Sequence, residues 1–151
     1  MVRMFLHFTT NDINNRAKGV SMKNVPDTKF GRMYEAHIDF IHKKDIEGLL
    51  DQYCEDALLI SSFEKVPKLF RGRDEIRTHL EGIMGIDDLQ TEVVFWSDTV
   101  NPDTVMVTEK ISMTINGDVS EMRFADSWVI KGGKICVHFA GMVQYPDGSL
   151  A

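Results

Sequence analysis

The spacing of apolar residues divides the chain into a helical first part and a sheet-forming second part. From Lys29 to Lys44, apolar side chains recur every three or four residues, which predicts an amphipathic helix. Asp45 is a typical N-cap for a second helix, which has Tyr53 on its inner side and ends at Glu55-Asp56. A third helix is predicted over roughly Arg73 to Met84.

After Gly85 the period of apolar residues changes to two, which is typical of half-buried strands. A shorter strand, Ala57 to Phe63, precedes the third helix and is joined to it by a connection containing Pro67. Helices followed by an antiparallel meander indicate an α+β fold with the helices on one face of a curved sheet. The four long strands, which are separated by hairpin-type turns, are Leu89–Val100, Thr104–Ile115, Val119–Lys131 and Lys134–Tyr145.

The turn at Asn116-Gly117 decides which residues of its two strands share a face of the sheet. A two-residue turn pairs odd positions of one strand with even positions of the next. One face is then largely apolar but carries two acids, Glu109 and Asp126, as direct or diagonal cross-strand neighbours. Because carboxyl groups that lie close together in apolar surroundings titrate at raised pKa, this face predicts a general acid or base. Alternatively, either acid lies where the sheet frays and contacts water.

The turn at Gly132-Gly133 extends the same face onto the last strand. If this loop has two residues, Phe139 joins the apolar face and His138 lies on the opposite face, whereas a three-residue bulged loop would reverse both. The opposite face would then also carry Met106, Cys136, Ala140 and Met142, which make it a plausible surface for a homodimer.

Composition and charge exclude several classes of protein. The chain has 151 residues and a formal net charge of -6, which predicts a single domain. No apolar run approaches the roughly 18 residues of a membrane span, and an acidic chain argues against a nucleic-acid partner. Residues 1–28 lack a long periodicity and predict an N-terminal extension, which leaves residues 29–151 as the domain.

The cysteines and histidines do not occur in the spacings that bind metals. Cys54 and Cys136 are too few for a disulfide framework, so a reduced, cytoplasmic protein is expected. His-Glu-x-x-His and Cys-x-x-Cys sequences are absent. We therefore expect neither a metal nor a cofactor.

Several short motifs stand in a fixed order along the chain: His37, Asp45-Ile-Glu-Gly-Leu-Leu50, Tyr53-Cys-Glu-Asp-Ala57, Arg71-Gly-Arg-Asp-Glu-Ile76, Phe124-Ala-Asp-Ser-Trp-Val-Ile130 and Gly133-Lys-Ile135. With these motifs, roughly residues 29 to 145 resemble the nuclear transport factor 2-like superfamily. The most similar branches are the SnoaL-like polyketide cyclases and the ketosteroid isomerases. The resemblance implies a cone-shaped, curved antiparallel sheet wrapped around about three N-terminal helices, with a pocket between them.

The ketosteroid isomerase pattern carries over only in part. The resemblance places the tyrosine that donates to the substrate oxyanion at His37, and the aspartic acid that donates beside it at Asp126. The general-base aspartate corresponds to Ser61, which has no carboxylate. Either Glu109 or Glu64 then supplies the base, or the reaction differs.

The favoured hypothesis is a cofactor-independent isomerase, cyclase or dehydratase acting on a hydrophobic small molecule with a carbonyl or hydroxyl group. Asp126 would transfer the proton, His37 would polarise the substrate oxygen and Glu109 would tune Asp126. The alternatives are a carrier of a hydrophobic ligand and a dimeric scaffold domain. The expected substrate-binding residues are Tyr34, Ser61, Trp96, Phe124, Trp128 and Phe139.

Overall fold

The computed structural model describes residues 23–150. Its helices are α1 (Lys29–Lys43), α2 (Ile46–Asp51) and α3 (Gly72–Met84). The Thr28 hydroxyl accepts a hydrogen bond from the Gly31 amide at the start of α1. The Asp45 carboxylate caps α2 in the same way, as the sequence predicts. Both caps satisfy amides that would otherwise have no partner within the helix.

Six strands form one curved, open sheet in the order β2-β1-β6-β5-β4-β3. β1 and β6 pair in parallel, and the other neighbours pair antiparallel. The helices precede the long meander along the chain, so the α+β class is confirmed. The strands are β1 (Tyr53–Ser62), β2 (Lys68–Arg71), β3 (Gln90–Thr99), β4 (Asp103–Ile115), β5 (Asp118–Lys131) and β6 (Lys134–Gln144).

The β4–β5 hairpin has the register that its turn predicts. Val107 lies opposite Asp126 and Glu109 lies opposite Phe124, without a break along the pair of strands. Both acids and their apolar neighbours are buried, so this face of the sheet forms the inside of the domain. The inner face packs into one core with apolar residues of the three helices.

Two boundaries in the first half of the domain differ from the prediction. The second helix ends at Asp51, and Tyr53 begins β1 instead of continuing the helix. The segment expected to be a connection contains β2, which pairs with the second half of β1 and forms one edge of the sheet. Residues 1–22 of the predicted extension lie outside the described residues. Its last part contacts β3 through Asn24, whose amide donates to the Val93 carbonyl over 2.9 Å.

The β5–β6 hairpin corrects the expected faces of β6. Its register shifts between Val129 and Ile130, where Cys136 is the extra residue on β6. From that point, His138, Ala140 and Met142 face inward and are buried, whereas Phe139 is 49% exposed on the outside. The expected inward position of Phe139 and the expected outward positions of Ala140 and Met142 are therefore wrong, because one inserted residue reverses the alternation.

The expectation of two reduced cysteines is also wrong. Cys54 on β1 and Cys136 on β6 form a disulfide across the parallel pair of strands, with their Cα atoms 5.1 Å apart. The pairing joins residues 82 positions apart in the sequence. Both cysteines lie where the register is irregular, since β1 also shifts between Tyr53 and Leu58.

Among residues 23–150, none of the helices combines the length and the apolar character that crossing a membrane requires.

Candidate active site

An inner cavity lies between the helices and the concave face of the sheet. Its volume is about 60 Å³. Its wall is mostly apolar, but seven polar side chains interrupt it: His37, His42, His79, Thr91, Glu109, Asp126 and His138. Apolar pockets with a few convergent polar groups are the usual form of small-molecule sites.

Asp126 stands at the end of a buried chain of hydrogen bonds. The His138 ring contacts Asp126 Oδ1 through Nε2 over 3.1 Å and the Tyr53 hydroxyl through Nδ1 over 2.7 Å. Burial raises the pKa of the Tyr53 phenol, so it stays protonated and has a proton to donate. We assign the tautomer in which Tyr53 donates to Nδ1 and Nε2–H donates to Asp126, because every group is then satisfied.

Glu109 lies diagonally across the sheet from Asp126 and has its own partner. The Tyr34 hydroxyl on α1 donates a hydrogen bond to Glu109 Oε1, and both residues are buried. Tyr34 also packs edge-on against Trp96, with ring centroids 5.5 Å apart. The phenol therefore fixes one carboxyl oxygen of Glu109 and leaves the other for the cavity or for Asp126.

Burial keeps the two carboxyl groups neutral to higher pH than usual. Desolvation raises the pKa of Asp126 well above the ordinary carboxyl value. Desolvation and the neighbouring Asp126 charge also raise the pKa of Glu109, although the hydrogen bond from Tyr34 opposes this. The two acids titrate as a pair, so losing one proton makes the second harder to lose.

His37 is held by a second network, between α1 and the C-terminal end of α2. Its Nδ1 contacts Gln52 Oε1 over 2.8 Å, and the Gln52 amide donates to the Met33 carbonyl over 2.9 Å. Because the amide group of Gln52 is thereby oriented with its oxygen toward the ring, Nδ1 carries the proton and Nε2 is an acceptor. Burial lowers the pKa of His37 and of His138 to about 3, so both rings are neutral near pH 7.

The predicted site residues separate into three groups. The expected catalytic residues Asp126, His37 and Glu109 all line the inner cavity, as does Phe124. Tyr34 and Trp128 are fully buried beside it: Tyr34 binds Glu109, and Trp128 packs on His37 with centroids 4.9 Å apart. Ser61 lies on a neighbouring groove, Trp96 packs behind Tyr34, and Phe139 lies on the outer face.

Sequence reasoning missed three members of the site. A two-residue Gly132-Gly133 turn predicts His138 on the outer face, because nothing in that turn reveals the extra residue further along β6. The sequence pattern predicts Tyr53 in a helix, whereas it is the first residue of β1. Gln52 gave no signal, since its role depends on the close approach of α1 and α2.

Metal ligation does not fit this arrangement. In the part of the chain that the structure describes, no group of three or more His, Cys, Asp or Glu side chains could hold a metal ion. The buried acids and histidines are instead used in pairs with tyrosine and glutamine partners. The site thus contains proton donors and acceptors without a metal cage.

Comparisons with known proteins identify the family and the fold. A family model described as "SnoaL-like domain" matches residues 34–138. A search of curated proteins found no match. The fold is similar to that of a Mycobacterium tuberculosis LEH-like epoxide hydrolase, with 13% identity and a TM-score of 0.59 over 74% of this chain and 80% of that one.

Two further solved structures share the fold. The epoxide hydrolase/cyclase-like enzyme SalBIII has 15% identity and a TM-score of 0.63 over 76% of this chain and 89% of its own. The M. tuberculosis protein RV0760c, in complex with estradiol-17β-hemisuccinate, has 15% identity and a TM-score of 0.60 over 71% and 88%. Since the family model spans more than half of the sequence, the chain belongs to the SnoaL-like family of the nuclear transport factor 2-like superfamily.

Proposed function

We propose that this SnoaL-like protein is a cofactor-independent acid/base catalyst that isomerises, cyclises or dehydrates a largely hydrophobic molecule with a carbonyl or hydroxyl oxygen. The observation that carries the proposal is the position of Asp126. Its carboxyl group lines an apolar cavity and is hydrogen-bonded by His138. A carboxyl group that stays neutral near pH 7 is a proton donor in the right protonation state.

In this mechanism Asp126 acts as the general acid. It transfers its proton to the substrate oxygen, which becomes a hydroxyl or leaves as water. The carboxylate that remains accepts the hydrogen bond from His138 Nε2–H, while Tyr53 holds the ring in that tautomer. The network thus stabilises the charge that appears on Asp126 when the proton leaves.

Glu109 is the base of the same pair. When the pair has lost one proton, one carboxyl group can donate while the other accepts, and the hydrogen bond from Tyr34 favours Glu109 as the ionised member. Glu109 then takes a proton from a carbon next to a carbonyl group or from an attacking hydroxyl. A base on β4 replaces the carboxylate that is missing at Ser61.

His37 serves this reaction as an acceptor. Because its Nδ1–H is used by Gln52, the free Nε2 orients a substrate hydroxyl and does not donate to an oxyanion. This differs from the donor role that the resemblance to ketosteroid isomerases implies for the position. The pocket is thus better suited to substrates with a hydroxyl group near the reacting oxygen.

The proposal is tested with three aryl-substituted probes: a β,γ-unsaturated ketone for isomerisation, a β-hydroxy ketone for dehydration and a hydroxy-epoxide for cyclisation. We expect turnover of at least one probe, and Asp126→Asn lowers it by about 10²–10⁴-fold. Asp118→Asn, which changes an exposed acid of the same strand, is the matched control. Unchanged turnover in Asp126→Asn contradicts the mechanism. Tight binding without turnover, with Asp126 titrating normally, indicates a carrier instead.

A further inference from the structure

A second and larger depression, the outer groove, adjoins the inner cavity. Its volume is about 410 Å³. It lies between α3 and the strands β1 and β2 with their connection, and its wall combines apolar and polar side chains. Its lining is Ser61, Phe63, Glu64, Val66, Lys68, Phe70, Thr78, His79, Gly82, Ile83 and Ile86.

The outer groove and the inner cavity share part of their walls. Phe63, His79 and Ile83 line both, and we call these three residues the neck. Phe63 also packs edge-on against Phe124 of the inner cavity, with ring centroids 5.9 Å apart. A molecule that passes the neck therefore contacts the outer groove on one side and the carboxyl groups on the other.

The sizes of the two compartments point to a ligand that occupies both. The inner cavity, at about 60 Å³, has room for little more than the reacting end of a substrate. Sites for drug-sized ligands usually have volumes of about 300–1,000 Å³, a range that the outer groove reaches. Of the two compartments, however, only the inner cavity is lined by Asp126 and Glu109, whose carboxyl groups transfer protons in the proposed reaction.

His79 supplies a polar contact at the neck. Its ring stacks on Phe70 with centroids 4.5 Å apart and an interplanar angle of 26°. Within residues 23–150, its Nε2 is buried and has no hydrogen-bond partner. Buried polar atoms nearly always have one, so this nitrogen is a hydrogen-bonding group for a molecule at the neck. A hydroxyl suits either neutral tautomer, because it both donates and accepts.

We propose that the inner cavity and the outer groove form one two-compartment site for an elongated, mostly apolar molecule. The reacting oxygen lies at Asp126, the body passes the neck, and a hydroxyl on the distal part binds His79 Nε2. The inference rests on the proposed function and adds to it the shape and the second polar group of the substrate.

Three probes of increasing length test the proposal: phenol, 4-phenylphenol and 4,4′-biphenol. Phenol supplies only the ring and hydroxyl that occupy the inner cavity. The second ring of 4-phenylphenol reaches past the neck, and the second hydroxyl of 4,4′-biphenol provides a hydrogen-bonding partner for His79. We expect 4-phenylphenol to bind about tenfold tighter than phenol because it buries a further ring. The second hydroxyl of biphenol adds several-fold.

Gly82 allows the outer groove to be filled without disturbing the core. A Cβ added at Gly82 has no neighbour within 4 Å, so Gly82→Leu projects a side chain into open space. We expect this variant to remove the advantage of 4-phenylphenol over phenol, with phenol affinity unchanged. Glu81→Leu, one position earlier on α3 and outside either lining, is the matched control and keeps the advantage.

The role of His79 is tested with the same probes. His79→Phe keeps an aromatic ring but removes the nitrogen, so biphenol should lose its advantage over 4-phenylphenol, and His79→Gln should restore part of it. Calorimetric titration measures each affinity. The proposal is overturned if 4-phenylphenol binds no tighter than phenol, if it does not bind at all, or if Gly82→Leu leaves the ratio unchanged. Failure of Asp126→Asn to affect turnover would instead contradict the proposed function and leave these ratios intact.

Discussion

The two hairpins that build the concave face of the sheet differ in regularity. β4 and β5 pair without interruption from Asp103 opposite Ile130 to Ile115 opposite Asp118. β5 and β6 begin in register around Gly132-Gly133 but shift twice. The regular hairpin supplies the two carboxyl groups of the site, and the irregular one supplies the histidine that binds Asp126. Half of the proton network thus depends on a turn and half on a bulge.

The difference shows what a turn can determine. A hairpin turn fixes the relative register of two strands only as far as their ladder stays unbroken. Beyond an inserted residue, every side chain of the bulged strand changes face. In β6 this change brings His138 inside and leaves Phe139 outside.

Adjacent residues near the end of β6 provide the largest test of this comparison. Met142 is buried, whereas Val143 is 43% exposed. We expect Met142→Ala to lower the free energy of unfolding by about 2–5 kcal/mol, because it leaves a cavity in the core. Val143→Ala should cost less than about 1 kcal/mol. Urea unfolding measures both free energies. A larger loss in Val143→Ala than in Met142→Ala would contradict the shifted register and support an unbroken pairing of β5 with β6.

The disulfide gives the next largest effect, since it joins the bulged part of β6 to β1. Cys54 and Cys136 close a loop of more than 80 residues, so the cross-link should stabilise the domain by about 2–4 kcal/mol. Reduction, or the double substitution of both cysteines by Ala, should lower the free energy of unfolding by that amount. Thiol labelling of the unreduced, unfolded protein provides the control. Full labelling would show that the bond is absent.

His138 tests whether the irregular hairpin contributes to the chemistry. His138→Phe removes the donor to Asp126, so the carboxylate is less stabilised and the pKa of Asp126 rises further. We expect turnover to fall by about 10–100-fold, because the donor stabilises a charged group, and the limb of the pH–rate profile set by the acid to move to higher pH. His138→Gln can donate and accept and should restore part of both. An unchanged profile in His138→Phe would limit this residue to packing.

The last prediction concerns how stability depends on pH. The folded pKa of Asp126 and Glu109 is raised, so above the ordinary carboxyl pKa the folded state binds more protons than the unfolded state. The free energy of unfolding should therefore fall as the pH rises toward the folded values, by up to about 1.4 kcal/mol per pH unit for each group.

The buried histidines act in the opposite direction but over a lower range. Their pKa of about 3 in the folded state means that stability rises with pH up to their ordinary value near 6.5 and is constant above it. Above pH 7 only the carboxyl contribution remains. Urea unfolding at pH 7 to 9 should show a decline in the wild type that is smaller in Asp126→Asn. Equal slopes would mean that the acids titrate normally.

The sequence predicts those parts of the structure whose signals act over a few residues along the chain. The N-cap Asp45 and the turn at Asn116-Gly117 act within a few residues, and the elements around them are as the pattern indicates, apart from the end of α2. The burial of Glu109 and Asp126 follows from the alternation within that hairpin. These features required only local reasoning.

The remaining features depend on contacts that no local pattern encodes. Cys54 and Cys136 are brought together by the parallel pairing of β1 with β6, which the chain order does not reveal. Gln52 binds His37 only because α2 turns back on α1. Only the structure reveals that, among residues 23–150, Nε2 of His79 at the neck has no hydrogen-bond partner.

The additional residue at position 136 makes the interior of the domain sensitive to strand pairing as well as to residue type. If the strand ran in step from Gly133 with all of its residues, Val137 and Phe139 would take the places of His138 and Ala140. Deleting Cys136 would instead remove the bulge and leave His138 opposite Trp128 and Ala140 opposite Asp126. A relative with one residue fewer here keeps the same interior by pairing without the bulge, whereas a relative that keeps the residue and loses the bulge has the shape of the domain and a different chemistry inside it.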